Sequence, residues 1–144
     1  MRYLLMVAQL VAPMSGCQSG TDALTTSASP PELSEAASSA IAGDMASRFA
    51  EQVGQGTGIL VLKQDTSPFG QALVAALKTS GYAVATEQAT ENKKPSVQLA
   101  YIIDDFEGQT LARLSTGSIE LARAYSTTTG GASPSSPLSV MQRQ

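Results

Sequence analysis

The sequence contains no histidine and no tryptophan, and its single cysteine stands at position 17. Without histidine, a Ser-His-Asp triad, an imidazole acid/base step and a histidine-ligated metal are all excluded. One cysteine cannot close an intramolecular disulfide, nor can it build a cysteine-based zinc site. Aromatics are also scarce, at 5% of 144 residues. Any core is therefore expected to rest mainly on Ala, Leu, Val and Ile. Such a core buries little area per residue, so association with other subunits is expected to help stabilise it. Clustered positive charge is missing too. The net charge is −3, and Lys93-Lys94 is the only adjacent basic pair. Sequence-independent nucleic-acid binding needs a basic face, so direct nucleic-acid binding is not expected.

What is present is sharply divided along the chain. Met1-Arg2 gives a positive start, and Tyr3 to Ala12 is apolar apart from Gln9. Pro13-Met14-Ser15-Gly16-Cys17 follows. A basic start, an apolar run of about ten residues and a small-residue cleavage site make a secretory signal. The run is too short to span a bilayer, which takes about twenty apolar residues. Ser15-Gly16 immediately before Cys17 resembles the lipobox of bacterial lipoproteins, with Met14 where Leu is usual. That resemblance implies a diacylglycerol on the Cys17 thiol. Gln18, which is not Asp, implies sorting to the outer membrane. Residues 1–16 are thus read as the signal peptide. Residues 17–31, rich in Ser, Thr, Gly and Ala, are read as a lipidated flexible linker.

Residues 32–127 have the patterning of a small folded domain. Leu33, Ala37, Ile41, Met45, Phe49 and Val53 recur at every fourth position, one apolar helical stripe with Ala36 and Ala40 beside it. Ser29-Pro30-Pro31-Glu32 or Ser34 starts this helix, and Gly54 stops it. Gly58 to Gln64 is a β-rich run. Ser67-Pro68 opens a second helix, with Phe69, Leu73, Val74, Ala76 and Leu77 on its apolar face and Gly81 at its end. Tyr82 to Thr86 is the second strand, and Glu87 to Pro95 is a charged loop. Val97, Leu99, Tyr101 and Ile103 alternate as in a strand. Asp104-Asp105-Phe106-Glu107-Gly108 is a turn, and Gln109 to Ser115 the next strand. Thr116-Gly117 turns the chain into a last strand, Ser118 to Thr127, with Ile119, Leu121, Arg123 and Tyr125 on one side. The fold class is α+β: two helices packed on a small mixed sheet ending in an antiparallel meander, in the order α-β-α-β-β-β-β. Residues 128–144 read as an irregular C-terminal tail. Its Pro137-Leu138-Ser139-Val140-Met141 segment either adds a strand to a partner or packs back on its own domain.

No constellation in this pattern carries chemistry. Asp104, Asp105 and Glu107 are dense in charge, but neighbouring strand residues face opposite ways. Gly54-Gln55-Gly56-Thr57-Gly58 alternates glycines as phosphate loops do, yet it precedes a strand and lacks the Gly-Lys-Ser/Thr ending. No Ser or Thr has an activating partner in sequence. The chain is read as a non-enzyme, with no catalytic, cofactor-binding or metal-binding residues. Its only covalent group is the lipid on Cys17.

Four stretches resemble the TrbH family of conjugal-transfer lipoproteins: Ala40-Ile41-Ala42-Gly43-Asp44-Met45, Ser67-Pro68-Phe69-Gly70-Gln71-Ala72-Leu73, Gly81-Tyr82-Ala83-Val84, and Ser136-Pro137-Leu138-Ser139-Val140. The resemblance implies a structural component of a conjugative type IV secretion system, the mating-pair-formation apparatus. It implies a lipid-anchored position at the outer membrane, facing the periplasm. The implied partners are other secretion-core subunits, including a large outer-membrane pore-forming protein, in a homo-oligomeric ring. Without the resemblance, the same features fit a periplasmic lipoprotein binding module that regulates an envelope enzyme or another assembly. Genes of plasmid transfer beside this one separate the two readings.

Overall fold

The computed structural model describes residues 33–56, 58–63, 66–86 and 95–144. The first helix, α1 (Glu35–Val53), starts at Ser34, whose extended backbone leaves its hydroxyl free to accept from Ala37 N–H at 3.1 Å. Ser34 is therefore the cap, and Ser29-Pro30-Pro31-Glu32, the alternative start, lies outside the described residues. The buried face of α1 is Ala37, Ser38, Ile41, Ala42, Met45, Ala46 and Phe49. Its flanking positions are thus Ser38, Ala42 and Ala46, while Ala36 is exposed and Ala40 only half-buried. Small residues there bring the helix backbone close to its neighbours. Gly54 ends α1 with φ 73°.

Strand β1 (Ile59–Leu62) leads into α2 (Pro68–Thr79), capped by Ser67, whose hydroxyl accepts from Gly70 N–H at 3.0 Å. Gly81, at φ 95°, turns the chain out of α2 and into β2 (Ala83–Thr86). Tyr82 precedes the strand instead of belonging to it. Its buried ring packs on Phe49, and its hydroxyl donates to Gly54 O at 2.6 Å. The meander follows: β3 (Ser96–Phe106), β4 (Gln109–Ser115) and β5 (Ile119–Thr128). Asp104, Asp105 and Phe106 belong to β3, contrary to their reading as a turn. Only Glu107 (φ 50°) and Gly108 (φ 76°) make the bend, a two-residue hairpin between the paired Phe106 and Gln109.

The order across the sheet is β2-β1-β3-β4-β5, with β1 parallel to both β2 and β3 and the meander antiparallel. Helix α2 makes the crossover between β1 and β2. Both helices cover one sheet face, α1 packing on α2 and on β4 to β6. Phe49, Phe69, Tyr82, Tyr101 and Tyr125 all lie in the core. Scarce as they are, the aromatics carry more of it than composition led us to expect, because most of them sit at helix–sheet contacts.

The C-terminal segment is not irregular. Strands β6 (Gly131–Pro134) and β7 (Ser139–Gln142) both pair antiparallel with β5 along its outer edge. The register passes from Tyr125↔Pro134 to Ala122↔Ser139. The four residues from Ser135 to Leu138 therefore lie opposite Arg123 and Ala124, a two-residue bulge in one broken edge strand. Ser136 repairs the ladder there: Ala124 N–H donates to its hydroxyl at 2.9 Å, while Ser135 N–H donates to Ala124 O at 2.9 Å. The Pro137–Met141 segment thus returns to its own domain, pairing with β5 through β7 and packing Leu138 on the core, while Val140 and Met141 stay exposed.

Candidate functional site

Cys17, the one residue to which the sequence assigned chemistry, lies outside the described residues, as do the signal and linker segments. Asp104 and Asp105 are exposed on opposite faces of β3, and Asp105 N–H donates to the Asp104 carboxylate at 2.9 Å. No group of three or more His, Cys, Asp or Glu that could hold a metal occurs among the described residues. Gly54, Gln55, Gly56 and Gly58 connect a helix to a strand. The Gln55 side chain is structural, since its Nε2 donates to Ser80 O at 2.9 Å and satisfies the C-terminal end of α2. No helix of the described residues is long and apolar enough to cross a membrane.

Two constellations emerge in three dimensions. The first is a polar clasp. Arg123 occupies the helix-facing side of β5, in series with Ile119, Leu121 and Tyr125. A guanidinium at such a position needs a partner. Asp44 of α1 supplies it: its Oδ2 accepts from Arg123 Nη1 at 2.9 Å and from the Tyr125 hydroxyl at 2.6 Å. Arg123 Nε donates onward to Ser136 O at 3.0 Å. Burial, then the hydrogen bond to the Asp44 carboxylate, pushes the Tyr125 phenol far above its ordinary 10.0. On the surface side of the same helix, Arg48 lies 3.5 Å from Asp44 and bonds to Glu51 at 2.8 Å, which raises its own pKa. The sequence places Arg123 inside an apolar alternation but does not join it to Asp44. A lone charge within such an alternation is the signal that could have done so.

The second constellation is a groove. Gly70, Val74 and Lys78, one row along α2, form one wall with Val84, Ala85 and Thr86 of β2 opposite. Leu62, Lys63 and Tyr101 close the end where β1 finishes. The floor is apolar and the lysines stand at its two ends. Every arginine of the described residues is in an ion pair: Arg48 and Arg123 with Asp44, and Arg113 and Arg143 with Glu120. Lys63 and Lys78 have no such carboxylate partner among the described residues.

Comparison with known proteins gives this geometry a family. The family described as conjugal transfer protein TrbH matches residues 19–144. A protein described as probable conjugal transfer protein TrbH, from Sinorhizobium fredii (strain NBRC 101917 / NGR234), is 51% identical over 147 residues, covering 99% of this chain and 99% of its own. The chain belongs to the TrbH family. No solved structure matches it.

The family description names a process, conjugal transfer, and no reaction. The family-like stretches map onto the two constellations of this TrbH chain. Asp44 lies within the first stretch and Ser136 opens the last, and Arg123 ties them together across 79 and 13 residues of sequence. Ser67-Pro68-Phe69-Gly70 caps α2 and leaves the groove wall bare at Gly70. Gly81-Tyr82-Ala83-Val84 carries the chain from α2 into the opposite wall.

Proposed function

We propose that this TrbH-family chain is an outer-membrane lipoprotein, acylated on Cys17, and acts as a structural subunit of a conjugative type IV secretion core complex. One observation carries the reading: a near full-length TrbH match in a chain whose Tyr3–Ala12 apolar run ends on Ser15-Gly16-Cys17. The work of such a subunit is positional. Several acyl chains on one cysteine hold a protein at a bilayer where a single chain binds only marginally. The Ser/Thr-rich segment 18–31 then sets the reach of the domain below the membrane. The domain contributes contact surface to neighbouring core subunits, including a large pore-forming protein, and to other copies of itself in a ring.

Radiolabelled palmitate incorporation, with membrane fractionation of wild type and Cys17→Ser, tests the anchor. Label on the wild type alone, in the outer-membrane fraction, is the expected result. An unlabelled wild type removes the lipoprotein reading. Co-purification with the secretion core and loss of plasmid transfer on deletion test the assembly role. A stable monomer that is dispensable for transfer ends it.

A further inference from the structure

We propose that the groove between α2 and the outer edge of β2 captures an extended acidic peptide from a partner subunit as an added strand. Among the described residues β2 pairs only with β1, and none of them takes up the backbone donors and acceptors of its other edge. A strand edge of this kind is a template for pairing, and proteins usually block it with charge or proline in the strand itself. Ala83-Val84-Ala85-Thr86 has neither. Alongside runs an apolar trough, and main-chain pairing next to side-chain pockets is a recurrent way to bind peptides.

The charges choose the peptide. Lys63 and Lys78 line the two ends of the groove, and no carboxylate in the described chain neutralises them. Gly70 to Lys78 spans about 12 Å of helix at ~1.5 Å per residue. Four steps of a strand cover about the same length, at ~3.3 Å each. Side chains two apart share a face, so an acidic–x–apolar–x–acidic peptide places one carboxylate at each lysine. Its central apolar side chain then enters between Val74 and Val84. This goes beyond the assembly role proposed above and holds whether or not Cys17 is acylated.

The probe is a synthetic peptide, acetyl-Thr-Glu-Thr-Val-Thr-Glu-Thr-amide, titrated into the isotope-labelled full chain carrying Cys17→Ser. Amide shifts are expected along β2 and the Gly70–Val74–Lys78 row, with slowed hydrogen exchange at Ala83 to Thr86. The paired substitution Lys63→Glu with Lys78→Glu weakens binding about tenfold, two screened ion pairs' worth. The same variant takes up the peptide whose two Glu are replaced by Lys, which the wild type rejects. A thermal midpoint for the variant confirms that it is folded. No shift at millimolar peptide, binding indifferent to charge reversal, or shifts confined to the β5–β7 edge would each overturn the proposal.

Discussion

The two edges of this sheet are built in opposite ways. At the β5 edge the chain concentrates its paired charges. Arg123 bridges Asp44 and Ser136, and Glu120 holds Arg113 at 3.4 Å and also Arg143 beyond β7. Arg143 N–H donates to Ser118 O at 2.8 Å as well. At the β2 edge there is no ion pair among the described residues, and the fold there is held by the helix cap of Ser67, the Gly81 exit and apolar packing. Ordering a chain terminus costs conformational entropy, and the β5 edge recruits its last two strands by directed polar bonds. An edge that is meant to stay available needs no such fastening. Among the described residues, the contrast separates an edge closed by the chain's own last strands from one that no described strand covers.

The largest expected effect is on the closed side. Asp44→Ala leaves the half-buried Arg123 and the buried Tyr125 without their shared acceptor. Thermal unfolding should fall by about 10 °C, for a loss of about 2 kcal/mol. Hydrogen exchange should show β6 and β7 opening before the β1–α2–β2 unit. Equal loosening of both edges would remove the distinction. The strongest single lever on the open side is Gly81→Ala. Its φ of 95° strains any residue with a Cβ, and that Cβ would lie 2.9 Å from Gln55 Nε2, the group that satisfies the end of α2. We expect a loss of about 1.5 kcal/mol by denaturant unfolding, with α2 and β2 exchanging first.

Tyr125 sharpens the comparison through pH. Its phenol is raised in the folded state, so the folded chain keeps that proton where the unfolded chain loses it. Below about pH 10 both states are protonated and the contribution is constant. Above it the unfolded state binds fewer protons, and stability falls by up to ~1.4 kcal/mol per pH unit. Tyr125→Phe should cost about 1 kcal/mol at neutral pH through the lost bond to Asp44, and should flatten the alkaline decline. The remaining slope belongs in part to Tyr82, which burial also raises. An unchanged alkaline limb in Tyr125→Phe would show that this phenol ionises freely.

Local signals in the sequence located most elements, because each rests on short-range physics. Ser67-Pro68 and Gly81 bracket α2 closely, and Leu99, Tyr101 and Ile103 alternate into the core as their spacing requires. Three features were hidden for want of tertiary information. The Ser136 bulge has no local signature: polar, proline-containing 134–138 resembles a tail until Ala124 and Arg123 are placed beside it. Asp104 and Asp105 look like turn residues until β4 pairs with them. The groove depends on Lys63 and Lys78 from different elements, brought together only by the parallel crossover. Conversely, the reading of Cys17 rests on sequence alone, since the residue lies outside the described ones.

The smallest expected effect is the one that decides what the open edge is for. Lys78 sits in the last turn of α2, where a cation complements the helix dipole. Lys78→Glu should therefore cost about 0.5 kcal/mol with no peptide present. Lys63 lies beyond β1, exposed and outside any helix. Lys63→Glu should change stability by less than ~0.5 kcal/mol. A fold that does not need a charge, at the end of an apolar groove beside a strand edge that no described residue pairs, leaves that charge available for something outside the chain. If Lys63→Glu instead costs about 2 kcal/mol or more by denaturant unfolding, the lysine belongs to the folding of the β1 end. The two edges would then differ only in the kind of bond that closes them.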